Sequence, residues 1–293
     1  MLAFTLLFCL SMPQGAAADR SAERAVAAAE AAVAAAAAAH GENSLEVASQ
    51  LVKLATLQRL RGDVDGALAS SQRALAIRTA GLPPEDRKIA IVMANVGALH
   101  VARNEVDEAL PFLRRARDLL VAAPPSRARI GAMVDLGICE VLRGDYDAAL
   151  ATLRAGVDEA ERLAPDHPYR ALALQNLAQI QLNRGDVEAA RTSIEAAVEI
   201  FAMAAPDGPL HAHALQGLGM ILLAAHRPEA AAPLLERAVE LRRRLHGEDS
   251  EELAECFGAL GALAEQRGDQ EAACARIEAA LRIAVARHND RRA

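Results

Sequence analysis

Cysteine and histidine are the residues most able to bind metals or act as nucleophiles, and this chain of 293 residues has four cysteines and eight histidines. The cysteines are Cys9, Cys139, Cys256 and Cys274. None belongs to a Cys-x-x-Cys pair, and none has a histidine at the spacing of metal ligands. His211 and His213 would point to different sides of a helix. We therefore predict no metal and no cofactor, and we interpret the thiols as small buried hydrophobic groups.

The Arg-Gly-Asp tripeptide is a second candidate, because it occurs four times and could suggest cell adhesion. It begins at Arg61, Arg143, Arg184 and Arg267. An arginine at the C-terminal end of a helix, followed by a Gly-Asp turn, explains the same residues, and we favour this structural interpretation. The chain also has no phosphate-binding glycine loop, no G-x-S-x-G and no H-E-x-x-H sequence, so we predict that it is not an enzyme.

The Gly-Asp pair marks an internal repeat. Four intact pairs are joined by two degenerate copies, which the intervals between the intact pairs predict. The six residues, which we call the turn positions, are Gly62, Asn104, Gly144, Gly185, His226 and Gly268. Successive turn positions are 42, 40, 41, 41 and 42 residues apart. This regular period predicts stacked structural units.

Apolar residues recur at i, i+3, i+4 and i+7 on both sides of each turn position, which is typical of two amphipathic helices. Glycine adopts the left-handed conformation that ends a first helix, and asparagine is the next best residue for it. The aspartate that follows can cap the second helix, and Pro228 can begin that helix where the aspartate is missing. Each unit is therefore predicted to be a pair of antiparallel helices.

Small residues recur where the two helices of a pair would cross. Seven residues before the turn positions are Ala55, Gly97, Gly137, Ala178, Gly219 and Gly261, and five residues after them are Ala67, Ala109, Ala149, Ala190, Ala231 and Ala273. A larger side chain would force the helices apart, at about 1–3 kcal/mol for each crossing. This register predicts that Ala149→Leu lowers the melting temperature.

Together these features resemble the tetratricopeptide repeat family, in particular its kinesin-light-chain-like variety with repeats of about 41 residues. Residues 164–200 carry the pattern best, with the loop at 166–168, Asn176 on the first helix, the turn at Gly185 and Ala190 beyond it. The resemblance implies an all-α fold, a right-handed superhelical solenoid of antiparallel helix pairs with about thirteen helices.

The repeat register divides the chain into segments. Six repeats are predicted over residues 43–288, at about 43–83, 84–124, 125–165, 166–206, 207–247 and 248–288, and residues 289–293 form a polar tail. Residues 19–42 match a second helix and its loop, because "EAAVAAAAAAHGEN" from Glu30 aligns without a gap with "ERAVELRRRLHGED" from Glu236. This half repeat is predicted to cap the first full repeat.

Residues 1–18 resemble a signal peptide. The apolar run "LAFTLLFCL" begins at Leu2, and Ala16 and Ala18 stand where a signal peptidase selects small residues. The chain is therefore expected to be exported, to the periplasm or outside the cell; no lysine or arginine precedes the run, and a cytoplasmic location is the alternative. An oxidising compartment would leave open a disulfide between Cys256 and Cys274, which fall on paired helices.

Charge and hydropathy exclude two further classes of partner. The net charge of −7, from 32 basic and 39 acidic residues, argues against a nucleic-acid-binding protein, which needs a basic surface. A stable membrane span is not expected either, because Pro13 and Gly15 interrupt the apolar run well before the about 20 residues that a span requires.

The family resemblance implies a binding surface on the concave face of the first helices. The repeat register places these candidate residues on it: Lys53, Arg59, Asn95, Val101, Val134, Ile138, Gln175, Asn176, Gln179, His213, Gln216 and Met220. The expected partner is an unidentified protein or peptide, bound by asparagine side chains and apolar anchors. One alternative is a regulatory or sensory subunit that controls an enzyme on a separate chain. Another is that apolar members pack together or against a second copy of the chain, so self-association is also considered.

Overall fold

The computed structural model describes residues 16–121, 124, 126–163 and 165–290. In these residues it has thirteen helices and no strand: α1 (Ala16–His40), α2 (Leu45–Leu60), α3 (Val64–Gly81), α4 (Arg87–Ala102), α5 (Val106–Val121), α6 (Arg127–Leu142), α7 (Tyr146–Leu163), α8 (Pro168–Asn183), α9 (Val187–Ala204), α10 (Pro209–Ala224), α11 (Pro228–His246), α12 (Glu251–Gln266) and α13 (Gln270–Asp290). The predicted signal peptide lies outside the described residues except for residues 16–18, which begin α1. Cys9 and the last three residues of the predicted polar tail also lie outside them.

The helices pack in the predicted pairs, with α2 against α3, α4 against α5, α8 against α9, α10 against α11 and α12 against α13. Each predicted repeat interval holds one such first helix and one second helix. The described residues form two compact units that divide between Glu159 and Ala160. We call them the N-terminal unit, with α1 to α6 and most of α7, and the C-terminal unit, with α8 to α13.

The turn positions have the backbone conformation that the sequence predicts. Their φ angles are 82° at Gly62, 60° at Asn104, 79° at Gly144, 85° at Gly185, 56° at His226 and 77° at Gly268. Positive φ strains a residue with a β-carbon, so the degenerate copies at Asn104 and His226 keep the turn at an energetic cost that glycine avoids. The repeat register therefore extends through the positions where the motif itself has been lost.

Most of the predicted caps of the second helices are present. The carboxylate of Asp63 accepts a hydrogen bond from the Gly66 amide at 2.9 Å, and Asp145 and Asp269 accept equivalent bonds at 3.3 and 3.0 Å. Pro228 is the first residue of α11, as predicted. Asp186 differs, because its side chain makes no capping hydrogen bond to α9. The prediction of an aspartate cap is therefore wrong at this one turn.

The predicted helix crossings are as tight as the small residues indicate. The alanines five residues after the turn positions are 0% exposed, except Ala273 at 4%. A β-carbon added to Gly137 would lie 2.6 Å from the Leu153 side chain, and one added to Gly219 would lie 2.5 Å from Leu235. Because both distances are below van der Waals contact, the helix backbones approach as closely as these residues allow.

A buried polar contact also repeats between the paired helices, four residues before and eight residues after the turn position. The Ser70 hydroxyl donates to Gln58 Oε1 at 2.8 Å, and Ser193 donates to Gln181 Oε1 at the same distance. In the third repeat, Glu140 occupies the glutamine position and is hydrogen-bonded to Thr152. Helix periodicity does not reveal this contact, because its two partners lie on different helices, twelve residues apart in sequence.

Helix α1 covers the start of the first repeat. Val26 and Val33, at 3% and 9% exposure, join a core cluster that includes Val47 and Leu51 of α2. The Ala-rich segment is thus a helix that packs on α2 through a narrow apolar stripe, as expected for a cap on a repeat array.

The arginines of the four Arg-Gly-Asp tripeptides stand at the ends of first helices, in line with the structural interpretation. Arginines at this repeat position also bridge successive repeats. Arg103 pairs with Asp65 at 2.9 Å, and Arg267 Nη2 pairs with Glu229 at 2.7 Å. In both cases the carboxylate lies three residues after the preceding turn position, so the ion pair spans the boundary between two repeats.

The described cysteines are free thiols. Cys139 and Cys256 are buried, as interpreted from the sequence, but Cys274 is exposed, so the buried interpretation is wrong for it. The structure has no disulfide between Cys256 and Cys274. Among the described helices, none is long and apolar enough to cross a membrane.

Candidate functional site

First helices of neighbouring repeats lie side by side in each unit. In the N-terminal unit α4 contacts α6, and in the C-terminal unit α10 contacts both α8 and α12. The predicted binding residues divide equally between two surfaces. The N-terminal first-helix face carries Lys53, Arg59, Asn95, Val101, Val134 and Ile138, and the C-terminal first-helix face carries Gln175, Asn176, Gln179, His213, Gln216 and Met220.

On the N-terminal first-helix face, the polar candidates are accessible and two of the valines are not. Lys53 is exposed, whereas Arg59 and Asn95 are half-buried. Val101 and Val134 are only 8% and 6% exposed. These valines therefore support the face from within the unit and offer a partner little contact area.

Ile138 and Val101 belong to one apolar cluster. Val101 packs with Leu110 and Leu136 of neighbouring helices, and Ile138 packs against this group and is partly buried. Sequence periodicity placed both on a binding face, because it could not show that α5 and α6 supply neighbours for them.

Asp135 is an additional residue of this face. It occupies the same position relative to the turn as Lys53 and Asn95, nine residues before it. Burial raises the pKa of the Asp135 carboxyl to about 7, and the nearby Arg59 guanidinium partly opposes that rise. An aspartate at the position of Lys53 and Asn95 thus makes this face responsive to pH near neutrality.

The C-terminal first-helix face presents side-chain amides in which the donor groups are already used. Asn176 Nδ2 donates to the Leu172 carbonyl at 2.9 Å, and Gln179 Nε2 donates to Asn183 Oδ1 at 3.0 Å. The oxygens of Asn176 and Gln179 accept no hydrogen bond from the described residues. The Gln175 side chain is 9% exposed, and its buried Oε1 has no partner in the described part of the chain.

His213 lies in a buried cluster around Arg242 of α11. Arg242 Nη2 lies 3.0 Å from His213 Nδ1, and because arginine can only donate, Nδ1 is the acceptor. Arg242 Nη1 also donates to the Glu252 carbonyl at 2.8 Å and to Glu255 Oε2 at 3.2 Å. Burial, and secondarily the Arg242 charge, lower the pKa of His213 to about 3. His213 is therefore neutral, and Arg242 occupies the nitrogen that could accept a bond from a ligand.

Gln216 is also committed to packing between helices. It is 3% exposed, and the Cys256 thiol on α12 donates to its Oε1 at 3.5 Å. Burial raises the pKa of Cys256 to about 11, so the thiol keeps its proton at neutral pH. Met220 is half-buried and occupies the same position relative to its turn as Gln179.

The arrangement suits binding. Burial raises the pKa of the Cys139 thiol to about 12, and it is likewise no nucleophile at neutral pH. In the described ranges, no group of three or more His, Cys, Asp and Glu side chains is placed to hold a metal ion. What the C-terminal first-helix face offers is a set of amide oxygens that can accept hydrogen bonds, beside a flexible methionine.

The tetratricopeptide repeat family model matches residues 51–122, 128–203, 171–244 and 210–284. The chain belongs to the tetratricopeptide repeat family, and the all-α fold predicted from the sequence is confirmed. No curated protein sequence matches the chain.

Solved structures with this fold include kinesin-light-chain-like proteins. BtubC (BKLC) from P. vanneervenii is 19% identical, with 91% of this chain and 92% of that chain covered and a TM-score of 0.50. The kinesin light chain repeats from Podosopora anserina are 20% identical, with 68% and 96% covered and a TM-score of 0.53. A Rap protein complexed with Competence and Sporulation Factor is 13% identical, with 82% and 80% covered and a TM-score of 0.57. At these identities the similarity shows a shared fold.

Proposed function

We propose that this protein is a non-enzymatic interaction scaffold that binds a peptide or protein segment on its C-terminal first-helix face. The observation that carries the proposal is the set of unused acceptors on α8. Since the donors of Asn176 and Gln179 are bound within the helix, their partly exposed oxygens are left for N–H donors. An extended backbone supplies N–H groups at regular intervals, which makes a peptide segment the best fit.

Met220 adds an apolar contact beside these acceptors. It is half-buried, and a methionine side chain adapts its shape to different partners. Two proteins with the same fold support a peptide ligand, namely the Rap protein complexed with Competence and Sporulation Factor and the Rap conjugation gene regulator of plasmid pLS20 in complex with the Phr* peptide.

A regulatory subunit is the second candidate function. The observation that favours it is the fold shared with the conjugation gene regulator, which is 16% identical with a TM-score of 0.58. In this function, peptide binding would control an enzyme carried on a separate chain. Co-purification with an enzyme, followed by a change in its rate on adding the captured peptide, would support this candidate over a simple scaffold.

Export is the proposed cellular context. The apolar run from Leu2 and the small residues Ala16 and Ala18 support it, since they match the order of a signal peptide. Mass measurement of protein purified from its own host is expected to show a mature chain that begins at Asp19. A chain that retains Met1 would contradict export through a cleaved signal.

Site-specific photo-crosslinking tests the proposed binding face. A photoreactive residue at Gln179 or Met220 is expected to capture a segment of the partner, which mass spectrometry then identifies. The same residue at Met203, which is 66% exposed on the second helix α9, is the matched control. Equal or stronger capture from Met203 would contradict binding at the first-helix face.

The captured segment, made as a synthetic peptide, gives a quantitative test of the acceptors. Gln179→Met keeps the length of the side chain and removes its oxygen, so we expect affinity to fall about 3- to 10-fold, the value of one hydrogen bond. Asn176→Leu is expected to have a similar effect. Calorimetry of peptide binding provides the measurement, with Met203→Gln as the control. Unchanged affinity in both face variants would rule out the acceptor mechanism.

A further inference from the structure

Helix α13 carries an apolar stripe that is largely exposed in the described part of the chain. Ile277, Leu281 and Val285 follow one another at intervals of four residues, so they form one line along the helix. Their exposures are 48%, 58% and 58%, among the highest of the large apolar side chains in the described residues. At its beginning the stripe borders α12, since Ile277 lies against Gly261, whereas Ile283 on the opposite side of α13 is only 7% exposed.

The preceding repeat shows what such a stripe does when it is covered. Leu235 and Val239 of α11 occupy the positions of Ile277 and Leu281, counted from the turn. They are 0% and 7% exposed: Leu235 packs on Gly219 of α10, and α12 packs on α11. The stripe of α13 therefore has the composition of a helix–helix contact, and another helix of complementary charge is the partner that fits it.

Charged residues beside the stripe indicate which helix that is. Glu278 and Arg282 are both exposed and lie on the same edge of the stripe, one turn apart. When two copies of α13 pair antiparallel about a two-fold axis, this edge faces itself, and Glu278 of each copy comes alongside Arg282 of the other. In an antiparallel pair the two helix dipoles also point in opposite directions, which is the favourable arrangement. In a parallel pair, Glu278 of one copy would lie at the same height as Glu278 of the other copy. The pairing of Glu278 with Arg282 would then be lost.

The other terminal helix is a poorer partner for the stripe. The exposed positions of α1 between its buried valines are mainly alanines, namely Ala27, Ala28 and Ala31. Their methyl groups offer less apolar area than isoleucine, leucine and valine do. A contact between α13 and α1 of the next copy would also be head-to-tail, and so would form rings or open chains and not a symmetric pair.

We propose that this chain forms a symmetric dimer through the exposed stripe of α13, with the two helices antiparallel. This contact lies on a second helix and is independent of the peptide site proposed for the first-helix face. The sequence left self-association open as an alternative. The proposed dimer specifies the helix that would mediate it and the antiparallel arrangement of the two copies.

Sedimentation velocity of the full chain over a wide range of concentration tests the dimer. The parent protein is expected to reach the mass of a dimer and stop there. Leu281→Glu places a charge in the centre of the stripe and is expected to weaken dimerisation by about tenfold or more. Met203→Glu, which replaces an exposed apolar residue on α9, is expected to leave the dimer intact. Circular dichroism checks that both variants keep the helical content of the parent.

Charge exchange tests the antiparallel geometry. Glu278→Arg and Arg282→Glu each place like charges together in a self-pair, so each variant is expected to be largely monomeric. Mixing the two variants in equal amounts restores opposite charges at both positions and is expected to recover the dimer. Three results would overturn the proposal: a monomeric parent, growth beyond a dimer, or a mixture that stays monomeric.

Discussion

The N-terminal and C-terminal first-helix faces bury ionisable groups of opposite kinds, at different positions in the repeat. The N-terminal face holds Asp135, whose pKa is raised to about 7 by burial. The C-terminal face holds His213, whose pKa is lowered to about 3, first by burial and then by the charge of Arg242. In both cases burial favours the neutral form of the side chain. The two faces therefore change the stability of the protein with pH in opposite directions.

The sign of each response follows from comparing folded and unfolded pKa values. The folded state binds the Asp135 proton more tightly than the unfolded state does, so this residue makes the protein less stable as pH rises from about 4 to about 7. The folded state binds the His213 proton less tightly, so this residue makes the protein more stable as pH rises from about 3 to about 6.5. The two contributions oppose each other in mildly acidic solution.

The largest expected difference between the units concerns two arginines at equivalent positions, Arg242 and Arg78. Arg242 bonds the Glu252 carbonyl, Glu255 and His213, whereas Arg78 bonds the Lys88 carbonyl at 2.7 Å. Arg242→Met should lower the free energy of unfolding by about 2–4 kcal/mol, because a hydrogen-bonded cluster loses its centre.

Arg78→Met is the matched control and should cost about 1 kcal/mol, the value of a single hydrogen bond. Chemical denaturation followed by circular dichroism measures both variants. Equal losses would mean that the contacts of Arg242 with His213 and Glu255 contribute nothing to stability.

The helix crossings should behave alike in the two units. Gly137→Ala and Gly219→Ala each push a methyl group to within 2.6 and 2.5 Å of a leucine side chain, and each should cost about 1–3 kcal/mol. Gly258→Ala is the control, since nothing lies within 4 Å of its added carbon. That variant should be more stable by about 0.5–1 kcal/mol, the helix preference of alanine over glycine. Thermal melts that rank the three variants otherwise would contradict the crossing geometry.

The variant Asp135→Asn tests the response of stability to pH. It places an asparagine in the N-terminal unit, as the C-terminal unit has at the equivalent position, Asn176. The amide does not ionise, so the variant should be more stable than the parent by on the order of 1 kcal/mol at pH 8 and equal to it near pH 4.

His213→Gln should do the reverse, since its benefit appears below about pH 6 and disappears above it. Melting temperatures across this pH range check both variants. If the two variants showed the same trend with pH, the opposition between the faces would be refuted.

The smallest expected effect concerns the buried hydrogen bond that both units share. Ser70→Ala and Ser193→Ala each leave a glutamine oxygen without its donor, and each should cost about 1 kcal/mol. Equal losses are expected, because the two bonds have the same length and both lie between paired helices. A loss in only one unit, measured by chemical denaturation, would show that the repeat register does not fix the strength of this contact.

Much of the fold was predictable because its requirements are local. A positive φ angle at the end of a helix selects glycine or asparagine, and a close crossing selects glycine or alanine, so both leave a mark on residue type at a fixed spacing. That spacing was sufficient to find the turn at His226, where the motif is gone but φ is 56°. The prediction failed at Asp186, where the turn forms without the aspartate cap.

The candidate site depended far more on tertiary structure. Periodicity indicates which side of a helix a residue occupies, but not how deeply it is buried or what faces it from another repeat. Val101 is buried by neighbouring helices, and His213 bonds an arginine 29 residues away. The amino-acid sequence by itself determined the repeat, its turns and its crossings, because each depends on residue types within one unit. Only the packing of one repeat on the next decided which side chains remain able to bind a partner, since that depends on contacts between distant residues.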